Sequence, residues 1–145
     1  LLGMIQPGSH VGDAASTDIY KVEPYVVTAD IYAVPPHVGR GGWSWYTGSA
    51  GWMYRLVVES LLGVHLVDGA LEFHPVVPAS WPGFEVTYRR NEAIYQVTLR
   101  KAAAGEAASV TRDGQGLPDG RIVLGDPAGT YKVDVVYTQH PGVHP

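Results

Sequence analysis

The stretch Gly39-Arg-Gly-Gly-Trp-Ser-Trp-Tyr-Thr-Gly-Ser-Ala-Gly-Trp-Met-Tyr-Arg55 constrains this chain more than any other. Glycines punctuate it, Trp43, Trp45 and Tyr46 fill its middle, and Thr47-Gly48-Ser49 leads into an apolar-periodic run. Met53, Leu56, Val57 and Leu61 recur at helical spacing, which predicts a helix from about Ala50 to Leu62 with one buried face. Gly63 then falls just past the helix end, where a left-handed residue is favoured. Ser49, or Thr47 just before it, is placed as the N-cap, because its side-chain oxygen can satisfy orphan N–H groups. A glycine-flexible turn that ends on a helix N-terminus also suits an anion, since N–H groups converge there and the dipole favours negative charge. The aromatic rings nearby offer flat faces for a sugar. The bland alternative is a glycine-rich turn between packed helices with a serine cap and core tryptophans.

A chain of 145 residues is long enough for a real core, as one domain or as a small domain plus a fragment. A net charge of -4 without a basic stripe argues against nucleic acid. Arg89-Arg90 with Arg100-Lys101, the densest basic group, lies on alternating sequence and reads as a solvated strand face. Cysteine is absent, which removes disulfides and thiolate chemistry and fits a reducing compartment. No apolar run reaches membrane-spanning length, and Leu1-Leu2-Gly3-Met4-Ile5 is too short for a signal peptide.

Residues 1–12 read as the tail of a helix broken by Pro7-Gly8, an uncapped apolar end that predicts a chain cut from something larger. Residues 13–19 are polar and hold several candidate N-caps. Pro24 suits the first turn of a helix, and Tyr25, Thr28 or Ala29, and Tyr32 share one helical face, so a helix is predicted over 24–33. Beyond Gly63 the texture changes. Asp68-Gly69 is a hairpin dipeptide within 64–74, and 76–82 is a Pro-rich connection. Residues 84–90 and 93–100 alternate with period two around a turn at Asn91-Glu92. Short strands follow at 109–112, 121–124 and 130–137, with a turn at Asp113-Gly114 and a frayed tail over 139–145. These signals predict an α+β chain, helical over 1–62 and an antiparallel sandwich over 63–145.

Glu23 and Asp30 lie seven residues apart and would share a face of the 24–33 helix; Glu59 sits on the next helix. Glu23 equally suits a carboxylate that complements a helix dipole. The six histidines show no metal-ligand spacing, and His37 reads as a turn residue. Arg40-Gly41-Gly42 offers a guanidinium and free backbone N–H groups, but no lysine follows to make a P-loop.

Tyr20-Lys-Val-Glu-Pro-Tyr-Val-Val27, the Gly39–Arg55 stretch, Leu61-Leu-Gly63 and Trp81-Pro-Gly-Phe84 together resemble the C-terminal end of inverting glycoside phosphorylases. That family is glycoside hydrolase family 94, the cellobiose and chitobiose phosphorylase group, and the likeness points particularly to the phosphorylase-like C-terminal part of cyclic β-1,2-glucan synthases. The resemblance is strong over 20–84 and weak beyond. It implies the last helices of an (α/α) barrel followed by a jelly-roll-like β-sandwich. It also implies phosphate binding at Thr47-Gly48 and a cavity faced by Glu23; the glycine-aromatic stretch itself adds Ser49 at the helix start to the phosphate group, and Arg40, Trp43 and Tyr46 as further lining of a substrate site. The implied partners are a β-linked glucan or oligosaccharide, inorganic phosphate as co-substrate without cofactor or metal, and the rest of a parent enzyme. The family's general-acid Asp and its phosphate-binding His and Arg belong to earlier segments with no match here. The chain is therefore expected to be a fragment inactive alone, cytoplasmic, within a larger inner-membrane-associated protein. The alternative is a non-catalytic carbohydrate-binding or structural module.

Overall fold

The computed structural model describes residues 2–45 and 47–138, and their side chains except those of Leu2, Trp45 and Thr47. The tail expected over 139–145 lies outside these residues. The chain divides into two compact units, Leu1–Arg55 and Leu56–Pro145.

In the first unit a short helix α1 (Leu2–Ile5) ends before a 3-10 turn, Pro7–His10. Pro7 fits the start of that turn because its missing N–H needs no partner there. Helix α2 (Ala14–Tyr20) is capped by Asp13, whose Oδ1 accepts the Ser16 N–H at 2.8 Å. That backbone bond, with one from the Ser16 hydroxyl, holds the Asp13 carboxyl below its ordinary value. Lys21 closes α2 in the left-handed conformation, and its N–H reaches Thr17 O at 3.0 Å. Tyr20 is buried, with the His10 ring stacked on it at 4.2 Å.

The helix predicted over 24–33 does not form. A turn at Pro24-Tyr25 leads into strand β1 (Val27–Thr28), which pairs antiparallel with β2 (Ser44–Trp45). Pairing continues to an Ile31–Gly41 bridge. Val26-Val27-Thr28 are three successive β-branched residues, stiff at χ1 and better suited to extended backbone. Their neighbours' amides bond across the hairpin: Ala29 N–H to Trp43 O at 2.7 Å and Tyr32 N–H to Arg40 O at 2.9 Å. The tyrosine spacing misled because Tyr25 and Tyr32 are both exposed.

Helix α3 (Thr47–Arg55) begins three residues earlier than the expected Ala50. Ser49 therefore lies inside its first turn and is not its cap. The chain then runs as a π-helical segment over Leu56–Leu61, and Leu62 N–H bonds to Val57 O, five residues back, at 2.8 Å. The wider turn rotates the apolar stripe, so Met53, Val57 and Leu61 are half-buried while Leu56, expected on the buried face, is exposed. Among the described residues no helix is long and apolar enough to cross a membrane.

The second unit is mostly β-sheet. Gly63 has φ +67°, and a Cβ there would collide with the backbone of His74. Strands β3 (Val64–Val67) and β4 (Ala70–Phe73) form the hairpin expected at Asp68-Gly69, whose φ values of 48° and 77° fit a type I′ turn. Strands β5 (Gly83–Arg90) and β6 (Ala93–Lys101) turn at Asn91, φ 53°, and β7 (Ser109–Arg112) and β8 (Gln115–Gly116) turn at Asp113-Gly114. Strand β9 (Ile122–Val123) joins β4, and β10 (Gly129–Tyr137) completes the set.

The sheets run β3-β4-β9 and β5-β6-β10-β7-β8. Strand β10 runs parallel to β6, from Gly129 opposite Ala93 to Tyr137 opposite Lys101. The expected wholly antiparallel arrangement is thus corrected to a mixed sheet. The long return from β6 to β10 carries β7, β8 and β9, and a crossover of that kind leaves no local turn signature. Ala93, Tyr95, Val97 and Leu99 of β6 and Val133, Val135 and Tyr137 of β10 share one buried cluster with Val64, Leu71 and Ile122 of the smaller sheet. Arg89, Arg90, Arg100 and Lys101 are exposed, as their alternation implied.

Candidate functional site

The segment from Gly39 to Ser49 is the returning strand of the β1–β2 hairpin followed by the start of α3. Its glycines answer to their neighbours. Gly39 has φ +84°, and its N–H bonds to Tyr32 O at 2.8 Å. A Cβ on Gly41 would collide with the Val22 and Thr28 side chains, and one on Gly42 with the Asp30 carboxylate. Gly41 N–H donates to Tyr20 O at 2.9 Å and Gly42 N–H to Asp30 O at 3.0 Å. The free N–H groups expected at Arg40-Gly41-Gly42 are therefore engaged, Arg40's own with His37 O at 3.0 Å. Close strand pairing, not an anion cradle, explains this glycine pair.

Trp43 is held through its backbone, its N–H donating to Asp30 Oδ1 at 3.2 Å and its carbonyl accepting from Ala29. Trp43 itself is 74% exposed. Arg40 is exposed on the same strand. Thr47 opens α3, Gly48 is exposed with nothing within 4 Å of a Cβ built on it, and Ser49 is half-buried one residue on. The first N–H groups of a helix have no partner within it, and the dipole places partial positive charge there. The uncluttered backbone at Gly48 leaves room for an anion to approach. Tyr46, expected among the lining residues, and the Thr47 side chain lie outside what the structure describes.

The two carboxylates expected on one helix face are separated in role. Glu23 is exposed in the turn before β1, where its carbonyl accepts the Val26 N–H at 3.3 Å. Among the described residues its carboxylate makes no hydrogen bond to the Arg40–Ser49 segment. Asp30 is spent as an acceptor within the hairpin, and Glu59 lies in the π-helical segment of the other unit. His37 sits in the hairpin turn as expected, its N–H bonded to Val34 O at 3.0 Å. A shallow cavity of about 210 Å³ in the first unit is lined by Met4, His10, Ser16, Ile19, Ile31 and Gly39, and holds none of the predicted site residues. The part played by Asp30 escaped the sequence reading. Its signal was an aspartate in a β-branched strand facing two glycines that cannot bear a side chain.

Residues 2–63 match the catalytic domain of the glycosyl hydrolase 94 superfamily. The cyclic beta-(1,2)-glucan synthase NdvB of Rhizobium meliloti is 44% identical over 104 residues, 71% of this chain and 4% of that protein. The N,N'-diacetylchitobiose phosphorylase of Vibrio proteolyticus is 39% identical over 61 residues, 42% of this chain and 8% of that protein. The cellobionic acid phosphorylase of Neurospora crassa is 29% identical over 101 residues, 70% of this chain and 13% of that protein. The chain thus spans only a small part of the length of the curated relatives it matches.

Proposed function

We propose, from the match of residues 2–63 to the catalytic domain of the glycosyl hydrolase 94 superfamily, that this chain supplies the phosphate seat of a glycoside phosphorylase. The parent activity is phosphorolysis of a β-glucan, as in the phosphorylase-like region of a cyclic β-1,2-glucan synthase, where it would set chain length. The observation that carries the reading is the open backbone at Gly48 in the first turn of α3, within the family-matching segment. Thr47, Gly48 and Ser49 would hold phosphate against the helix dipole, while Glu23, Arg40, Trp43 and Tyr46 would line the sugar site. A phosphate oxygen bonds to the anomeric carbon as the glycosidic C–O bond breaks with inversion. A carboxylic acid gives its proton to the departing oxygen. In this reading residues 1–62 complete an (α/α) barrel and 63–145 form the β-sandwich that follows it.

The acid is assigned to the parent enzyme outside this chain. Asp13 caps a helix and Asp30 accepts within the hairpin, so both carboxylates already serve the fold of the first unit. The chain alone is accordingly inactive. The test gives this chain, and a longer one extended upstream, β-1,2-glucooligosaccharide with phosphate. Glucose 1-phosphate released only by the longer chain is the expected result; release by this chain alone would place the acid here and overturn the assignment. The exposed indoles of Trp43 and Trp52 favour a second reading, a glycan-binding module without bond cleavage. Oligosaccharide binding with no phosphorolysis by either chain would select it.

A further inference from the structure

We propose that the free edge of β5 docks a second copy of this chain, strand against strand across a two-fold axis at Thr87. In the larger sheet β5 is the outer strand on one side, paired with β6 alone along Gly83–Arg90. The opposite edge is the two-residue β8, too short to offer much. An outer strand turns a row of amides and carbonyls away from its neighbour, and a long one is a template for another chain. This contact is independent of the phosphate reading of Thr47-Gly48-Ser49.

Glu85, Thr87 and Arg89 lie exposed on one face of β5, while Phe84, Val86 and Tyr88 pack against the core cluster on the other. On β6 the residues opposite Glu85 and Arg89 are Thr98 and Ile94, neither of them charged. Among the described residues no ion pair involves Glu85 or Arg89. Four residues of strand hold the two charges about 13 Å apart, too far to meet each other. Two β5 strands set antiparallel, Thr87 opposite Thr87, bring each Glu85 opposite an Arg89, once on either side of the axis. The same register sets Val86 opposite Tyr88 and Phe84 opposite Arg90, a β-branched–aromatic pair and a cation beside a ring. The nearest registers that keep outward amides facing one another centre on Val86 or Tyr88. They put Glu85 against Thr87 or Asn91 and leave the charges without partners. Charges on an edge ordinarily guard it; this spacing guards it against other strands and registers while admitting its own copy.

The test follows the full chain by sedimentation equilibrium over a range of concentrations. Wild type is expected to show a weak monomer–dimer equilibrium, since a single strand pair is a small interface. Arg89→Glu sets like charges opposite each other twice and is expected to raise the dimer Kd about tenfold or more. Adding Glu85→Arg restores the complementarity and is expected to return Kd to within about threefold of wild type. Register is read by crosslinking, which the absence of native cysteine permits. Thr87→Cys sets two thiols directly opposite, within disulfide reach in either kind of antiparallel pair, and is expected to give a linked dimer under mild oxidation. Glu85→Cys is expected to stay unlinked, its thiols about 13 Å apart. A chain that remains monomeric up to about 1 mM, where even a millimolar Kd would show, overturns the inference. So does a dimer indifferent to Arg89→Glu, or one linked as readily through Glu85→Cys as through Thr87→Cys, since the contact then lies on another surface. If the charge variants fail to fold, the two cysteine variants decide.

Discussion

Gly63 shows how much one missing Cβ can decide. Its φ of +67° is strained for any other residue, and the space beside it is filled by the backbone of His74, which cannot swing away as a side chain would. Gly63 O also accepts the His74 N–H at 2.8 Å. Gly63→Ala is expected to cost about 3 kcal/mol or more, read as a lowered urea midpoint at unchanged m-value. Charge at single residues acts on a different axis. The Arg100 guanidinium, and then the Ala103 N–H, hold the Glu106 carboxyl down at about 2 from an ordinary 4.5. A lowered carboxylate contributes stability that is present above pH 4.5 and lost as pH falls toward 2. Glu106→Gln is expected to flatten that part of the acid-unfolding profile, measured by circular dichroism across the same range.

Local elements obeyed turn chemistry where both of their strands lie close in sequence. Asp68-Gly69, Asn91 and Asp113-Gly114 all adopt positive φ and close hairpins; alternation places the strands around Asn91, the turn dipeptide marks Asp68-Gly69, and the short return strand after Asp113-Gly114 is not expected from the sequence. Gly69 has open space around a would-be Cβ, so Gly69→Ala pays only the backbone strain, about 1 kcal/mol. The same measurement on Gly63→Ala should show the larger loss, which separates strain from collision. Strand β6 carries its burial on alternate residues, and Leu99 is fully buried in the shared cluster. Leu99→Ala is expected to cost about 2–5 kcal/mol by chemical denaturation. The first unit resisted local reading. In 24–33 the tyrosine spacing imitated a helix, while the partner that made it a strand lies ten or more residues away.

Across the whole chain the buried tyrosines set the alkaline limit. Burial first, and then the hydrogen bond from its hydroxyl to Asp126 at 2.9 Å, raise the Tyr95 pKa above 10.0; burial raises that of Tyr137. Asp126 also accepts from Arg112 at 2.8 Å, which ties the loop before β10 to the sheet. A raised tyrosine contributes stability that is fully present below pH 10 and lost as pH climbs beyond it. The thermal midpoint is therefore expected to fall above about pH 10, and Tyr95→Phe to soften that fall while costing about 1 kcal/mol at neutral pH. Differential scanning calorimetry across pH checks both.

Period-two alternation, turn dipeptides and the Gly39–Arg55 stretch were enough to read the β-rich second half, its hairpins, its exposed basic face and the family resemblance. These are short-range properties, written within a few residues of where they act. Long-range pairing decided the rest. The parallel match of β10 to β6, the β1–β2 hairpin in place of a helix and the use of Asp30 against Gly42 each depend on residues distant in sequence. A hydrogen bond or a collision between such residues exists only once the chain has brought them together.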